Sequence, residues 1–358
     1  MSQTAIPLTD DADAGGIVND SSWFPFDLNL NEGTFEFVQV TAESLAEQKS
    51  ASRVAWDPPG PRHRLSIAGT LAGWPDLPPV AANFMWTTGF CSQVVASRAL
   101  EKTGANVAIR EPDILTRLAD MKRGRLLQDP RFQRLPRAIF GLLSRPLAAN
   151  AASLIVGSPA SSILALEAAQ LTTGKALFLY SDLRSFLTEV ARNGELARGF
   201  IRRMFSVIAG DGHEQATWPA VNLFQMTDLQ IAALVWHMQM AEFRRVMTVQ
   251  GPRAASLDVD ALLQSPKTTL ARLDDFFALR LGDGFLEETA EGPIFCKRDD
   301  NGNVVADAWD AVQNERRVDK NLSDHLDMLV ERSYQICKSP SGVPLPNVLI
   351  PIDKPYHP

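Results

Sequence analysis

Residues 84–112 read FMWTTGFCSQVVASRALEKTGANVAIREP, and the order of residue types in this stretch decides the fold. An apolar run is followed by a glycine-bearing turn of small residues, a helical pattern, a second apolar run and a charged Arg-Glu-Pro. This order predicts a strand, a short loop, a helix over residues 93–102 and a second strand. Gly104 follows the helical pattern and is predicted to end the helix. Backbone N–H groups converge at such a strand–loop–helix junction, a geometry that binds anions.

The strand–helix pattern recurs further along the chain. Short apolar strands are predicted at residues 154–156 and 176–180, and a helical pattern follows each of them. Short apolar strands that alternate with helices predict an α/β fold in which a buried parallel sheet is flanked by helices. After Gly210 the sequence is mainly helical, and Thr227 with Gln230 forms a capping-box pattern before an amphipathic stretch. The C-terminal half is therefore predicted to be helical.

Domain organisation is predicted from the composition along the chain. Residues 1–20 are rich in Asp, Gly and Ser and are predicted to be disordered. Residues 23–40 alternate weakly between apolar and polar, so they are expected to form a hairpin or an edge strand. We expect one α/β domain over residues 21–337. The Pro-rich residues 338–358 show no periodicity and are predicted to form an extended tail.

Composition and charge exclude several functional classes. The net charge is −7 and the pI is near 5.4, which argues against a nonspecific nucleic-acid binder. No apolar run approaches the ~20 residues that a membrane helix needs. The polar, acidic N-terminus resembles neither a signal peptide nor a transit peptide. We therefore expect a cytoplasmic protein without membrane or nucleic-acid partners, and the sequence leaves its oligomeric state open.

The cysteines and histidines form no cluster in the sequence. Cys91, Cys296 and Cys337 are far apart and make no CxxC pair, so we expect neither a disulfide framework nor a zinc site. The five histidines are also scattered. His237 lies in an apolar helical pattern, which favours a core histidine over a ligand. No metal is predicted.

The stretch GFCSQVVASRAL at residues 89–100, followed by IREP, resembles a group of bacterial sulfotransferase-like P-loop proteins. Three further segments are similar to segments of that group and come in the same order: residues 179–187, 227–236 and 258–279. The resemblance covers roughly residues 80–280. The resemblance implies a P-loop-type parallel sheet. It also explains why the loop after the first strand carries no Walker lysine.

The resemblance implies transfer of a sulfuryl group from 3′-phosphoadenosine 5′-phosphosulfate to a hydroxyl or amine of a small-molecule or peptide acceptor. Glu111 matches the carboxylate that acts as general base in some relatives, and Arg110 stands beside it. Arg184 and Thr188 are implied to meet the 3′-phosphate of the donor nucleotide. Five loop residues are implied to cradle the 5′-phosphosulfate: Gly89, Phe90, Cys91, Ser92 and Gln93.

Several positions depart from the pattern of the family. Gln93 and Val94 stand where the group has a Ser-Thr pair, and Gly157 stands where relatives carry a lysine. Ser181 replaces the arginine that usually ends the third strand, and Glu189 replaces a serine. A carboxylate about 4 Å from a phosphate is repelled by roughly 1–4 kcal/mol, depending on the local dielectric. These departures predict weakened anion binding by side chains.

Three functions remain open at this stage. The chain is a sulfotransferase with an altered donor site, a noncatalytic P-loop homologue that binds a partner protein or small ligand, or an enzyme of altered chemistry. In the third case Glu111 or Cys91 acts on a different substrate, and a helix N-terminus favours a reactive thiolate. Alternatives also exist for single residues. Arg110 with Glu111 could form a surface ion pair, Arg184 could lie on a solvated helix face, and Cys91 could be structural.

Overall fold

The fold is described from a computed structural model of the chain. It describes residues 14–48, 56, 58, 60–73, 80–147, 152–211, 225–298, 304–337 and 345–352. No helix in these residues is long and apolar enough to cross a membrane.

Ten strands are present in the described residues. They are β1 (Trp23–Asn29), β2 (Thr34–Gln39), β3 (Arg62–Ser66), β4 (Asn83–Thr87), β5 (Asn106–Arg110), β6 (Ala152–Gly157), β7 (Ala176–Tyr180), β8 (Ala254–Asp258), β9 (Cys296–Arg298) and β10 (Val304–Asp307).

Fifteen α-helices are present in the same residues. They are α1 (Ala14–Asn19), α2 (Ala42–Ala46), α3 (Ile67–Ala72), α4 (Gln93–Ala99), α5 (Asp113–Arg123), α6 (Leu135–Leu143), α7 (Ala165–Leu171), α8 (Leu183–Arg192), α9 (Gly194–Ile208), α10 (Asp228–Gln250), α11 (Val259–Gln264), α12 (Pro266–Phe277), α13 (Asp283–Ala290), α14 (Ala308–Glu315) and α15 (Lys320–Cys337).

A parallel sheet of five strands has the order β5-β6-β4-β7-β8. Strands β5, β7 and β8 are buried along their whole length, and apolar or small residues occupy most of their positions, as expected for strands covered on both faces. The register between β5 and β6 runs from Asn106 opposite Ala152 to Arg110 opposite Val156. The predicted α/β class, a parallel sheet flanked by helices, is confirmed.

Strand β4 lies in the middle of this sheet although it is the first of the five in the sequence. The next two strands along the chain, β5 and β6, lie on one side of β4, and β7 and β8 lie on the other. The strand order therefore reverses at β4. Open α/β sheets bind ligands beyond the carboxyl ends of their strands at such a point. The loop that follows β4 is accordingly the first candidate for a site.

Helix α4 is shorter than the sequence predicts. The pattern indicated a helix over residues 93–102, but α4 ends at Ala99. A tight turn follows, in which the N–H of Asn106 donates to the carbonyl of Lys102 (3.0 Å) and Gly104 has a φ of 77°. The glycine thus serves the turn into β5 rather than the end of the helix.

The chain divides into two compact units. The first comprises Met1–Met85, Leu100–Ala176 and Leu279–Leu281, and the second comprises Trp86–Ala99, Leu177–Ala278 and Gly282–Pro358. We describe each unit by itself. The single domain expected over residues 21–337 stays a prediction.

The first unit contains an antiparallel sheet of order β1-β2-β3. Strands β1 and β2 form the hairpin expected for residues 23–40, with Trp23 opposite Gln39 and Asn29 opposite Thr34. Four phenylalanines of the two strands are buried: Phe24, Phe26, Phe35 and Phe37.

The N-terminal segment of the first unit includes helix α1. The sequence predicted disorder for residues 1–20, but residues 14–19 are helical, and residues 1–13 lie outside the described part of the chain. The buried guanidinium of Arg145 donates to the carbonyls of Val18 (2.7 Å) and Asp20 (2.9 Å) at the end of α1. Burial lowers the pKa of Arg145 to about 10, so the group stays cationic at neutral pH. A cation suits a helix C-terminus, which carries partial negative charge.

The second unit holds most of the helical C-terminal half, as predicted. Helix α10 begins with the predicted capping box, in which Thr227 and Gln230 each accept a hydrogen bond from the backbone N–H of the other. The described part of the tail, residues 345–352, runs beside β8. There the N–H of Leu349 donates to the carbonyl of Ser256 (2.9 Å), and the N–H of Ser256 donates to the carbonyl of Asn347 (3.1 Å).

His237 is a core residue of the second unit, as its sequence context indicated. It is 3% exposed, and its Nε2 lies 3.0 Å from the Oγ of Ser333 on α15. The Ser333 hydroxyl donates to the carbonyl of Val330 (2.8 Å), so it accepts a hydrogen bond from Nε2–H of the neutral ring. Burial lowers the pKa of His237 from 6.5 to about 3. The imidazole is therefore neutral in the folded protein at physiological pH.

We expect His237 to make the folded protein less stable as the pH falls from about 6.5 toward 3. In this range the unfolded chain binds a proton at His237 that the native state does not bind, so the free energy of unfolding falls with pH. The slope is about 1.4 kcal/mol per pH unit, or roughly 2 kcal/mol between pH 6.5 and 5. Urea titrations at pH 7 and pH 5 measure the loss, and His237→Gln should lose about that much less than the wild type. His325→Gln, an exposed control on α15, should lose as much as the wild type. An equal loss in wild type and His237→Gln would contradict the prediction.

Candidate functional site

Residues 88–92 connect β4 to α4, and we call them the β4–α4 loop. Three of them have left-handed backbone: Gly89 with φ 76°, Phe90 with φ 49° and Ser92 with φ 48°. For residues that carry a Cβ, this conformation costs roughly 1–2 kcal/mol each. The loop must therefore be held by its surroundings. Successive N–H groups in turns of this kind form concavities that bind anions.

The donors of the β4–α4 loop are its main functional feature. Within the described part of the chain, no residue accepts a hydrogen bond from the N–H of Gly89, Phe90 or Ser92. The backbone ladder of α4 starts only when the N–H of Ala96 donates to the carbonyl of Ser92 (3.1 Å). The loop thus offers several backbone donors close together, as an anion-binding loop requires.

The loop is tied to its surroundings at Phe90. The hydroxyl of Ser181, which directly follows β7, donates to the carbonyl of Phe90 (3.1 Å). The carbonyl of Ser181 in turn accepts a hydrogen bond from Nε1–H of Trp236 on α10 (2.9 Å). The Phe90 ring makes edge contacts with Phe186 and Phe200, at centroid distances of 5.6 and 5.4 Å.

These contacts were not predicted from the sequence. The sequence indicated Ser181 only as a position where the resembled family usually has an arginine. A weak signal was present, because a tryptophan on the buried face of a helix needs an acceptor for its N–H.

The side chains at the start of α4 contribute little to an anion site. The amide oxygen of Gln93 accepts a hydrogen bond from the hydroxyl of Thr87 (2.8 Å). Val94 has no polar group. Any anion binding by this loop therefore depends on backbone N–H groups more than on side chains.

Cys91 lies in the β4–α4 loop with a side chain that is 1% exposed, and it forms no disulfide. A thiol reacts readily when it is partly exposed in an electropositive environment, whereas a buried cysteine is inert. The structural alternative for Cys91 thus fits its burial better than the reactive one.

Arg184 and Thr188, implied to meet a 3′-phosphate, are engaged within the second unit. Arg184 donates from Nε to Oδ1 of Asp327 (2.6 Å) and from Nη2 to Oγ of Ser323 (2.8 Å), both on α15. Thr188 is fully buried, and its hydroxyl donates to the carbonyl of Arg184 one turn earlier (2.8 Å). Their role in nucleotide binding stays a prediction.

Glu189 is one of the positions that depart from the pattern of the resembled family, and its carboxylate lies among arginine side chains. One carboxylate oxygen lies 3.7 Å from Nε of Arg316 and 3.9 Å from Nη1 of Arg192. Arg316 also donates from Nη1 to the two carboxylate oxygens of Asp260 (2.8 and 2.9 Å). The Arg316 side chain is 9% exposed and that of Asp260 is 2% exposed. This buried ion pair connects the end of α14 to α11.

We expect Arg316→Ala to lower the free energy of unfolding by about 3–5 kcal/mol, because it leaves the buried carboxylate of Asp260 without its cation. Chemical denaturation at pH 7 measures the loss. The adjacent Arg317 is exposed, and Arg317→Ala should change stability by less than about 0.5 kcal/mol. The double variant Arg316→Ala/Asp260→Ala should lose less than the two single variants together. A loss at Arg316 no larger than that at Arg317 would refute this assignment.

Arg110 is an internal residue of the first unit. It is 3% exposed, and its guanidinium donates to the carbonyls of Gln48 (2.7 Å) and Ala46 (3.2 Å) at the end of α2. It also forms an ion pair with Glu101. The alternative of a surface ion pair between Arg110 and Glu111 does not fit the burial of the arginine, whose guanidinium lies against the end of α2. The catalytic role implied for Arg110 stays a prediction.

Glu111 directly follows β5 in the first unit and has left-handed backbone, with φ 48°. Its N–H donates to the carbonyl of Val156 (2.8 Å), which places it beside Gly157 at the carboxyl ends of β5 and β6. Non-glycine residues in this conformation are rare and concentrate at functional sites.

The described residues contain no group of three or more His, Cys, Asp or Glu side chains that could hold a metal ion.

Comparisons with known proteins give little guidance. No family model matches the chain, and no curated protein matches its sequence. Among solved structures, the chain is similar to the sulfotransferase domain from the curacin biosynthetic pathway, with 11% identity and a TM-score of 0.43. That match covers 75% of this chain and 99% of the other. At this identity and TM-score the likeness does not bear on the function of this chain.

Proposed function

We propose that the chain is a sulfotransferase-like enzyme whose β4–α4 loop binds the anionic end of a nucleotide donor. The observation that carries the proposal is the set of backbone donors at Gly89, Phe90 and Ser92, for which the described residues provide no acceptor. The loop follows the central strand at the point where the strand order reverses. The motifs of residues 80–280 supply the chemistry, which is sulfuryl transfer to a hydroxyl or amine of a small molecule or peptide.

The proposed reaction breaks the bond between sulfur and the 5′-phosphate oxygen of 3′-phosphoadenosine 5′-phosphosulfate and forms a bond between sulfur and the acceptor atom. The N–H groups of the β4–α4 loop stabilise the charge that develops on the departing phosphate. Glu111 takes the proton that the acceptor loses. The products are the sulfated acceptor and 3′-phosphoadenosine 5′-phosphate, and the protonated Glu111 returns its proton to water.

Two observations support Glu111 as the base. It directly follows a parallel strand at the carboxyl edge of the sheet, where open α/β folds bind their ligands. Its left-handed backbone is unfavourable for a glutamate, and such conformations persist mainly where function requires them.

We expect 3′-phosphoadenosine 5′-phosphate to raise the melting temperature of the full-length protein. A ligand that binds only the folded state stabilises it by about 2.7 kcal/mol at roughly 100 times its Kd. Differential scanning fluorimetry measures the shift. Adenosine is the control ligand and should give no shift at equal concentration, because it lacks the anionic groups that the loop would hold. No shift with millimolar 3′-phosphoadenosine 5′-phosphate would exclude the proposed donor site.

We expect Glu111→Gln to bind 3′-phosphoadenosine 5′-phosphate as tightly as the wild type but to transfer sulfuryl about 10²–10⁴-fold more slowly. Gln keeps the size of the side chain and cannot accept the proton. The readout is release of the nucleotide product in the presence of a panel of phenols, alcohols and amines. Asp113→Asn, in the first turn of α5, is the matched control and should retain the wild-type rate. An unchanged rate in Glu111→Gln would exclude Glu111 as the base.

A second candidate is a noncatalytic homologue that binds a partner protein or small ligand through the same fold. It is favoured by the internal contacts of Arg184 and Thr188, whose polar groups bond to α15 and to α8. Binding of the nucleotide without release of product across the acceptor panel supports this candidate over the enzyme. The third possibility, altered chemistry at Cys91, is disfavoured by the burial of the thiol.

A further inference from the structure

We propose that Ser181 is a positioning residue that holds the β4–α4 loop in its anion-binding conformation. This inference rests on the function proposed above, because it concerns the same loop. Ser181 is fully buried, and its hydroxyl donates to the carbonyl of Phe90 (3.1 Å). Ser181 thus acts on a bound anion through the loop and not by touching the anion.

The loop needs an external restraint because its conformation is locally unfavourable. Phe90 and Ser92 both carry a Cβ and both have positive φ. Without a partner for the Phe90 carbonyl, the segment would relax toward ordinary backbone conformations, and its N–H groups would lose their present arrangement. A contact from outside the loop is therefore required to keep its backbone N–H donors in place.

The hydrogen bond to Ser181 fixes the peptide group between Phe90 and Cys91. A trans peptide is planar, so its C=O and N–H point in opposite directions. Because the Phe90 carbonyl faces Ser181, the N–H of the same peptide group faces away from Ser181. One hydroxyl therefore sets the orientation of the middle of the loop.

Ser181 is itself held by a hydrogen bond from helix α10 of the second unit. Its carbonyl accepts a hydrogen bond from Nε1–H of Trp236 (2.9 Å), and Trp236 is 2% exposed on α10. The Phe90 ring is held separately between Phe186 and Phe200. The restraint therefore runs from α10 through Ser181 to the backbone of the loop, and the ring contacts add to it.

This role gives a physical meaning to the departure at position 181, where the resembled family has arginine. Ser181 is fully buried, and its side-chain oxygen lies 3.1 Å from the carbonyl oxygen of Phe90. A short hydroxyl suits this position, because it donates one hydrogen bond and needs little volume. The position has changed from a candidate anion ligand to a support for the backbone donors.

The test compares full-length variants at two serines, Ser181 as the test position and Ser185 as the control. Ser181→Ala removes the donor to Phe90, whereas Ser185→Ala is the matched control because its hydroxyl bonds to Oδ2 of Asp182 (2.8 Å) and not to the loop. Ser181→Thr retains the hydroxyl and should rescue. Trp236→Phe removes the hydrogen bond that fixes the Ser181 carbonyl and should give an intermediate effect, which provides a second variant if the threonine methyl is not tolerated.

Two readouts are measured for each variant. Hydrogen exchange of the backbone amides of residues 88–95, followed by mass spectrometry, reports the loop directly and needs no ligand. Isothermal titration with 3′-phosphoadenosine 5′-phosphate reports binding. We expect Ser181→Ala to speed exchange in this segment about tenfold and to weaken binding about tenfold, as loss of one buried hydrogen bond allows. Ser185→Ala should change neither quantity.

The outcomes separate this inference from the proposed function. Unchanged exchange in Ser181→Ala, or equal acceleration in Ser185→Ala, overturns the role of Ser181. Wild-type affinity in Ser181→Ala despite faster exchange also overturns it, because the loop conformation would then not matter for binding. If the wild type binds no nucleotide, the proposed function fails, and the exchange comparison alone decides whether Ser181 holds the loop.

Discussion

The structure depends on one constraint: the strands of a parallel sheet are buried on both faces. Strands β5, β7 and β8 have no exposed position, so their side chains are apolar or bonded internally. Polar chemistry is therefore excluded from the strands and concentrated where they end. Glu111 follows β5, the β4–α4 loop follows β4, and Ser181 follows β7. In open α/β sheets, ligands bind beyond the carboxyl ends of the strands, which is where these polar residues stand in the chain.

Features whose interacting residues are close together in the sequence could be predicted, and features whose partners are far apart in the sequence could not. The strand β7 was predicted with its observed ends, because a short apolar run bounded by polar residues is a local signal. The capping box at Thr227 was predicted for the same reason, since its two members are three residues apart. The end of α4 was not predicted. The side chain of Asn106 donates to the carbonyl of Leu100 and its backbone N–H donates to the carbonyl of Lys102, and these hydrogen bonds compete with helix formation in residues 100–102.

The partners of the candidate site residues lie far away in sequence, and no local pattern encodes them. Arg184 is 143 residues from Asp327, and Ser181 is 91 residues from Phe90. A single sequence shows that an arginine or serine is present but not whether its polar group meets a ligand or another part of the chain. Burial adds to the difficulty, since Arg110 carries a charge and would be expected at the surface, yet its guanidinium bonds to two carbonyls and a carboxylate inside the first unit.

Three of the positions that depart from the pattern of the resembled family share a physical feature. The side chains of Gln93, Ser181 and Glu189 each engage another part of the protein. These side chains make internal contacts, while the N–H groups of Gly89, Phe90 and Ser92 have no acceptor among the described residues. Backbone N–H groups are fixed in number and direction by φ and ψ, so they recognise the geometry of one compact anionic group. Under the function proposed above, the backbone donors of the β4–α4 loop recognise the anionic group that lies there.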